Sequence, residues 1–442
     1  MSEAQAAGVA RLTHARVARI AFPIVLSNAT VPILGAVDTG VVGQLGEAAP
    51  IGAVGLGAVI LTSVYWLFGF LRMGTVGLAS QALGARDEAE VAAILSRVLL
   101  IAGAAGLALI ALQAPIFLAA LRLAPASEEV EGLARSYLAV RIWSAPAAIA
   151  VYGITGWLIA QERTGAVLAL QLWMNGINIL LDLVFVLGFG WGVPGVAVAT
   201  LIAEISGAAM GLWLCRAAFA GRSWRDPVRV FERVKLVRMA AVNSDILIRS
   251  VLLQAIFLSF LFRGSGLGDA TLAANQVLLQ FLYITAYALD GFAFAAETLV
   301  GQATGARSRE RLRRGAALCA IWTVGTAGVL TLCFALGGTL LIDTMATDEG
   351  VREAARAYLP WVLLAPLAGA AAWILDGIFI GATRTADMRN MMALSALVYA
   401  AALIALVPFF GNHGLWAALM VSFVARGITL AVRYPALERS TG

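Results

Sequence analysis

The sequence predicts an all-α polytopic membrane protein, with twelve transmembrane helices in two six-helix lobes related by pseudo-two-fold symmetry. Three observations lead there. Of 442 residues, 61% are hydrophobic and 13% are charged, with a mean hydropathy of +0.88. A soluble domain carries about 25% charged residues, so this chain lacks the polar groups to cover a water-exposed globule of its size. The apolar residues fall into runs at or above the roughly 20 that a helix needs to cross a bilayer. A heptapeptide also recurs half a chain later. Ser80-Gln81-Ala82-Leu83-Gly84-Ala85-Arg86 returns as Gly301-Gln302-Ala303-Thr304-Gly305-Ala306-Arg307, a shift of 221 positions. Gly156-Trp157-Leu158-Ile159 with Arg163-Thr164 returns as Gly377-Ile378-Phe379-Ile380 with Arg384-Thr385 at the same shift. Two matches at one shift read as a tandem duplication of a six-helix unit.

The spans follow in order. The first opens behind Arg11, Arg16 and Arg19, and its apolar run passes Pro23 and Pro32 to reach Asp38 and Gly43. That run is longer than a signal-peptide core and ends in no small-residue cleavage site, so it reads as a retained helix. Spans at about 16–43, 50–80, 91–121, 131–160, 165–188 and 193–217 make an amino-terminal lobe, residues 1–215. A basic linker, residues 216–236, follows, and with its margin it carries Arg216, Arg222, Arg225, Arg229, Arg233, Lys235 and Arg238. Spans at about 237–262, 270–303, 311–342, 352–381, 388–410 and 413–435 make the carboxyl-terminal lobe, residues 237–442. The loop near 307–314 is rich in arginine, whereas Glu128, Glu129 and Glu131, then Asp343, Asp348 and Glu349, occupy loops on the other side. The positive-inside rule then places both termini and the linker in the cytoplasm of a bacterial inner membrane.

Several classes of function fall away. The net charge of +5 resides in loops without interleaved aromatics, which is a topology signal and not a nucleic-acid face. Cys215, Cys319 and Cys333 show no metal or disulfide spacing, His14 and His413 are the sole histidines, and no resident metal or organic cofactor is expected. No nucleotide loop, zinc-protease or serine-hydrolase motif occurs, so the chain does not read as an enzyme. Six helices per repeat let both halves enter from the same membrane face. Parallel repeats of this kind belong to transporters that alternate access between two lobes. Without a nucleotide site, an ion gradient must supply the energy. Two fused lobes make a monomer sufficient, the lipid bilayer is one expected partner, and embedded charges that are acidic more often than basic favour small organic, cationic or amphipathic substrates.

Ionisable residues inside a membrane are costly and point to function by default. Within the spans lie Asp38, Asp182 and Glu204, then Asp245, Asp290, Glu297 and Asp376, with Arg72, Arg141 and Arg249 as embedded cations. At about 1.5 Å per residue, Asp38, Asp182 and Thr200 sit at a common level, roughly 7–11 Å below the outer rim. Asn178 and Asp182 are four apart and share a helix face. Two acids in one poorly solvated pocket cannot both be charged cheaply, so such a pair can take a proton on one side and surrender it on the other. The plainer reading has each acid satisfied by a local hydroxyl, amide or arginine that merely ties helices together. Pro23, about four turns before Asp38, is a hinge or a static kink. Asp245 and Arg249, four apart, are expected to pair with each other. Asp290, Glu297 and Asp376 are secondary candidates in the carboxyl lobe.

These residues resemble a known family. Val37-Asp38-Thr39-Gly40-Val41-Val42-Gly43-Gln44-Leu45-Gly46 is similar to the end of the first helix in multidrug and toxic compound extrusion (MATE) transporters. Asn178-Ile179-Leu180-Leu181-Asp182 and Gly192-Val193-Pro194-Gly195-Val196-Ala197-Val198-Ala199-Thr200 resemble their helix 5–6 region. Asn243-Ser244-Asp245-Ile246, the stretch Thr285–Ala293 and the stretch Asp376–Arg384 resemble the DNA-damage-inducible F branch. The resemblance implies a cation-coupled multidrug efflux antiporter with Asp38, Asn178, Asp182 and Thr200 at the coupling site and Pro23 as the bending proline. It also implies that Asp376 matches an acid used in another branch. Proton coupling is the first expectation. Sodium coupling at the amino-lobe pocket or at Asp376, and a lipid-linked precursor flippase of the wider superfamily, remain alternatives.

Overall fold

The computed structural model describes residues 12–44 and 47–441, and the side chains of Val31, Ile33, Leu34, Ala36, Asp38 and Thr39 lie outside the described residues. The described residues form helices joined by short turns. They are α1 (His14–Ala29), α2 (Val31–Gly43), α3 (Ala48–Trp66), α4 (Gly69–Gly84), α5 (Glu88–Ala111), α6 (Gln113–Leu123), α7 (Glu128–Arg141) and α8 (Ala145–Ala160). They continue with α9 (Thr164–Asp182), α10 (Gly192–Leu214), α11 (Arg233–Ser265), α12 (Asp269–Gly305), α13 (Arg309–Met345), α14 (Glu349–Gly381) and α15 (Thr385–Arg439).

Among the described residues ten helical stretches, with α3–α4 and α7–α8 each counted as one, are long and apolar enough to cross a membrane. Two local breaks reconcile ten helices with twelve spans. The first predicted span is interrupted at Thr30, where Pro32 occupies the first turn of α2, and neither α1 nor α2 is long enough to cross alone. At the other end α15 has 55 residues, about 80 Å if straight, against a hydrocarbon thickness of about 30 Å. Gly411, at φ 52° and ψ −127°, folds it into two arms. A Cβ on Gly414 would strike the Leu406 carbonyl, so only a glycine lets the arms approach so closely at that turn.

The duplication read from the heptapeptide extends to backbone geometry. Among the described residues, four non-glycine residues adopt positive φ: Arg86 (61°), Glu162 (59°), Arg307 (52°) and Thr383 (51°). They form two pairs, each 221 positions apart. Each closes a helix with the same left-handed cap. Asp87 N–H donates to Ala82 O at 2.9 Å, and Ser308 N–H to Ala303 O at 3.0 Å. Arg163 N–H donates to Leu158 O at 3.0 Å, and Arg384 N–H to Phe379 O at 2.9 Å. The next helices open with matching side-chain caps, Asp87 accepting from Glu90 N–H and Ser308 from Arg311 N–H. Close packing repeats as well. A Cβ on Gly156 would meet the Arg72 carbonyl, and one on Gly377 would meet the Ala293 carbonyl.

The chain divides into two compact units. The amino-terminal unit comprises Leu26–Ala82 and Asp87–Asn243. Its core gathers Tyr65, Leu121, Tyr137, Ile142, Val186 and Val196. The carboxyl-terminal unit comprises the chain up to Val25, Leu83–Arg86 and everything from Ser244 onward. Its core centres on Phe260, whose ring meets Trp416 edge-on at 5.0 Å, and on Phe281 against Phe334 at 5.1 Å.

Candidate functional site

In the amino-terminal unit, α9 supplies a ladder of amides on one face. Gln171 Nε2 donates to Asn175 Oδ1 at 3.0 Å, and Asn175 Nδ2 donates to Thr30 Oγ1 at 2.9 Å. The break in the first span is thereby tied to α9. One turn further on, Asn178 Nδ2 donates to Thr200 Oγ1 at 3.0 Å, while the Thr200 hydroxyl donates to Val196 O at 2.9 Å. One turn beyond that, Asp182 is fully enclosed, at 0% exposure. It stands where α9 passes into a π-helical segment, Leu183–Gly188. A π-turn widens the local backbone and is frequent at functional sites. The backbone of α2 packs against α9, this π-segment and α10. Asn178, Asp182 and Thr200 are thus assembled on the two expected helices. Asp38 lies on α2, and its side chain is outside the described residues. Pro23 lies inside α1, which stays helical through it, and the chain breaks seven residues later at Thr30.

Glu204, deeper in α10, forms a buried ion pair with Arg141 Nη1 at 2.7 Å. Arg141 also donates to Ser144 Oγ at 3.3 Å. Both residues are legible in the sequence as embedded charges, but their pairing is not, because it joins elements 63 positions apart.

The carboxyl-terminal unit treats its acids differently. Asp245 and Arg249 do not pair with each other, contrary to their four-residue spacing. Asp245 accepts from Thr385 Oγ1 at 2.9 Å and from Arg389 Nη1 at 2.5 Å, both on α15. Arg249 donates instead to Asp376 on α14. An i,i+4 pair offers only a few tenths of a kcal/mol. Partners on neighbouring helices offset these buried charges and join elements at the same time. Arg426, within the second arm of α15, completes the cluster. Its Nε lies 3.9 Å from Asp376 Oδ2, and its guanidinium sits near the rings of Trp373 and Phe423, at 5.8 and 5.9 Å. Arg426 is 4% exposed, and as a charge inside a predicted span it carried the same signal that singled out Arg141 and Arg249. Asp290 is part-buried on α12. Glu297, two turns further along α12, is buried.

The MatE family model matches residues 23–184 and 246–406. The chain belongs to the MatE family. It is therefore a multi-pass membrane transporter and not an enzyme, as the motifs around Asp38, Asp182 and Asp376 predicted. Asp38, Asn178, Asp182, Asp290, Glu297 and Asp376 fall inside the matched segments, and Pro23 is the first matched residue. The DNA damage-inducible protein F of Escherichia coli strain K12 is 39% identical over 419 residues, spanning 93% of this chain and 90% of that protein. A probable multidrug resistance protein NorM of Xanthomonas campestris is 26% identical, over 95% of this chain and 93% of its own length. The crystal structure of the Vibrio cholerae MATE transporter VcmN in the bent form superposes with a TM-score of 0.86 at 19% identity, covering 97% of each chain. That likeness shows a MATE fold. In this MatE chain, then, the amide–hydroxyl cluster and the ion cluster are features of a transporter built from two six-span repeats.

Proposed function

We propose that this chain is a proton-coupled multidrug efflux antiporter of a bacterial inner membrane, with both termini cytoplasmic. In this reading the coupling site consists of Asp38, Asn178, Asp182 and Thr200. Small organic cations or amphipathic molecules leave as protons enter, the lobes 1–215 and 237–442 alternate their opening, and Pro23 lets the first span bend. The naming of NorM relatives as probable multidrug resistance proteins supports the substrate class.

The observation that carries the coupling site is the enclosed set Asn178–Thr200 with Asp182 one turn away, on helices that flank α2. Asp182 supplies that set with an enclosed carboxyl group to carry the proton. The repeat adds support. Ser259 and Tyr399 stand 221 positions after Asp38 and Asn178, and in the carboxyl-terminal unit Ser259 Oγ donates to Tyr399 Oη at 3.1 Å. The same two positions are therefore in contact in the sister half. Sodium at Asp376 is disfavoured, since Arg249 and Arg426 already crowd that carboxylate with positive charge.

The test is export of a fluorescent organic cation from proteoliposomes under an imposed pH gradient, with sodium equal on both faces. Native chain should export, and Asp38→Asn should not. Export by Asp38→Asn at the native rate would remove Asp38 from the coupling site. Export that follows a sodium gradient at equal pH would replace the proton by sodium.

A further inference from the structure

The segment between α10 and α11 is more than a tether. It is strapped to the end of α5 by a set of specific contacts. Arg97, 3% exposed, donates from Nε to Val230 O at 2.8 Å and from Nη2 to Arg229 O at 2.6 Å. Its Nη1 pairs with Glu90 at 2.6 Å, and the second oxygen of Glu90 holds Lys235 Nζ at 2.7 Å. Ser96 Oγ donates to Trp224 O at 2.6 Å, and Arg229 pairs with Asp87 at 3.3 Å. These bonds fix the backbone of the segment where the chain leaves one span and enters the next. They also consume particular basic groups, Arg229 and Lys235.

Arg222, Arg225 and Arg233 are not consumed in this way. All three are exposed, and no ion pair to an acid is formed by any of them among the described contacts. Arg222 and Arg225 line a cavity of about 440 Å³ together with Ser223 and Asp226. Asp226 accepts from the Val228 N–H at 3.1 Å, so its carboxylate is engaged as the cap of a helical turn. The rim keeps a positive excess. Immediately beyond it, Val228, Phe231, Val234 and Val237 project at 60% exposure or more. Spaced three apart, they follow the cavity residues along the chain with exposed apolar side chains.

We propose that this surface binds an anionic glycerophospholipid. The headgroup phosphate is held by Arg222, Arg225 and the Ser223 hydroxyl, Arg233 adds to the attracting field, and the acyl chains lie along Val228, Phe231, Val234 and Val237. Arginine presents a planar fork suited to phosphate oxygens. A basic cluster beside a span is drawn to anionic lipid and gains from each added cation. Charge alone would accept any anion. The adjoining apolar side chains select a molecule with a phosphate at one end and hydrocarbon at the other. Because the strap fixes the segment in advance, little ordering is lost on binding.

The test uses the full chain in detergent, with bound lipid read by native mass spectrometry while phosphatidylglycerol competes with phosphatidylcholine. The native chain should retain phosphatidylglycerol preferentially. The triple substitution Arg222→Gln, Arg225→Gln and Arg233→Gln should cut that preference by about tenfold or more. Phe231→Ser keeps every charge, so it should weaken retention of a long-chain phosphatidylglycerol but not of a dihexanoyl one. Equal retention of both lipids by the native chain overturns the proposal without recourse to any variant. So does an undiminished preference in the triple variant. Release of phosphatidylglycerol by millimolar inorganic phosphate, matched by equal retention of long and short acyl chains, would show a phosphate site and not a lipid site.

Discussion

The helix caps and glycine contacts of the two halves repeat 221 residues apart, yet the embedded acids do not. In the amino-terminal unit Asn178 and Thr200 of the expected site are bonded to each other, Asn175 and Thr30 are tied together one turn before them, and Asp182 lies one turn beyond. In the carboxyl-terminal unit the corresponding position to Asp182 is Leu403, and the acid that matters, Asp376, is held by two guanidinium groups. Duplication preserved what a helix boundary needs and let the interior chemistry diverge. Asp376 is paired with an arginine from a neighbouring helix and ties the two helices together. That contrast supports the proposal that ion coupling lies in the first half, while the second half uses its acids to join helices.

The largest effect that could break this comparison is functional. Replacing Asp38 and Asp182 together with asparagine should remove proton-driven export in proteoliposomes, and Asp376→Asn should spare the proton dependence of whatever transport remains. Coupling energies between sites are typically 1–3 kcal/mol, so the single substitution Asp182→Asn should lower the pH response of substrate affinity by roughly 5–150-fold. A flat pH response that persists only in Asp376→Asn would reverse the assignment.

Stability gives the next effect. Asp376→Asn leaves Arg249 and Arg426 facing each other inside the helix bundle. Removing one partner from a buried ion pair costs about 3–5 kcal/mol. A clear fall in the detergent melting temperature is expected, larger than that from Asn178→Ala, which removes one donor to Thr200 at a cost of about 1 kcal/mol. Pairing Asp376→Asn with Arg426→Met should restore part of the loss, because it removes the surplus charge and keeps an apolar side chain between Trp373 and Phe423. Equal melting temperatures for Asp376→Asn and Asn178→Ala would show that the ion cluster does not anchor its half.

Much of the fold was legible because hydropathy and the duplicated motif are properties of residues near each other in the chain. The cap at Arg86 and Asp87 recurs at Arg307 and Ser308 for that reason. Partnerships were less legible. Asp245 and Arg249 invited pairing because sequence displays intervals of four, and it does not display α14 and α15 lying alongside α11. Arg389 and Arg426 are visible as residues, but nothing local says which acid each will meet. The break at Thr30 had a signal in Pro32, since a proline early in a helix marks a start. The fold at Gly411 had a weaker one, since glycine also packs helices together, as Gly156 and Gly377 do. In the candidate site, spacing placed Asn178 with Asp182, and only the fold could bring Thr200 to Asn178.

The smallest effects test whether the shared caps are equal in energy as well as in shape. Gly156→Ala and Gly377→Ala would each push a methyl group against a carbonyl oxygen of the facing helix, Arg72 and Ala293 respectively. Overpacking of this kind costs about 1–3 kcal/mol, and both variants should melt lower by similar amounts. At the caps the sign reverses. Arg86 and Arg307 are exposed and hold a left-handed backbone, which costs a side-chain-bearing residue roughly 1–2 kcal/mol. Glycine relieves that strain and gives back part of the gain through greater freedom in the unfolded chain. Arg86→Gly and Arg307→Gly should therefore each raise the melting temperature slightly, and by the same amount. A rise at one cap with a fall at the other would mean that one arginine serves its own half beyond the cap, and that divergence reaches the helix boundaries too.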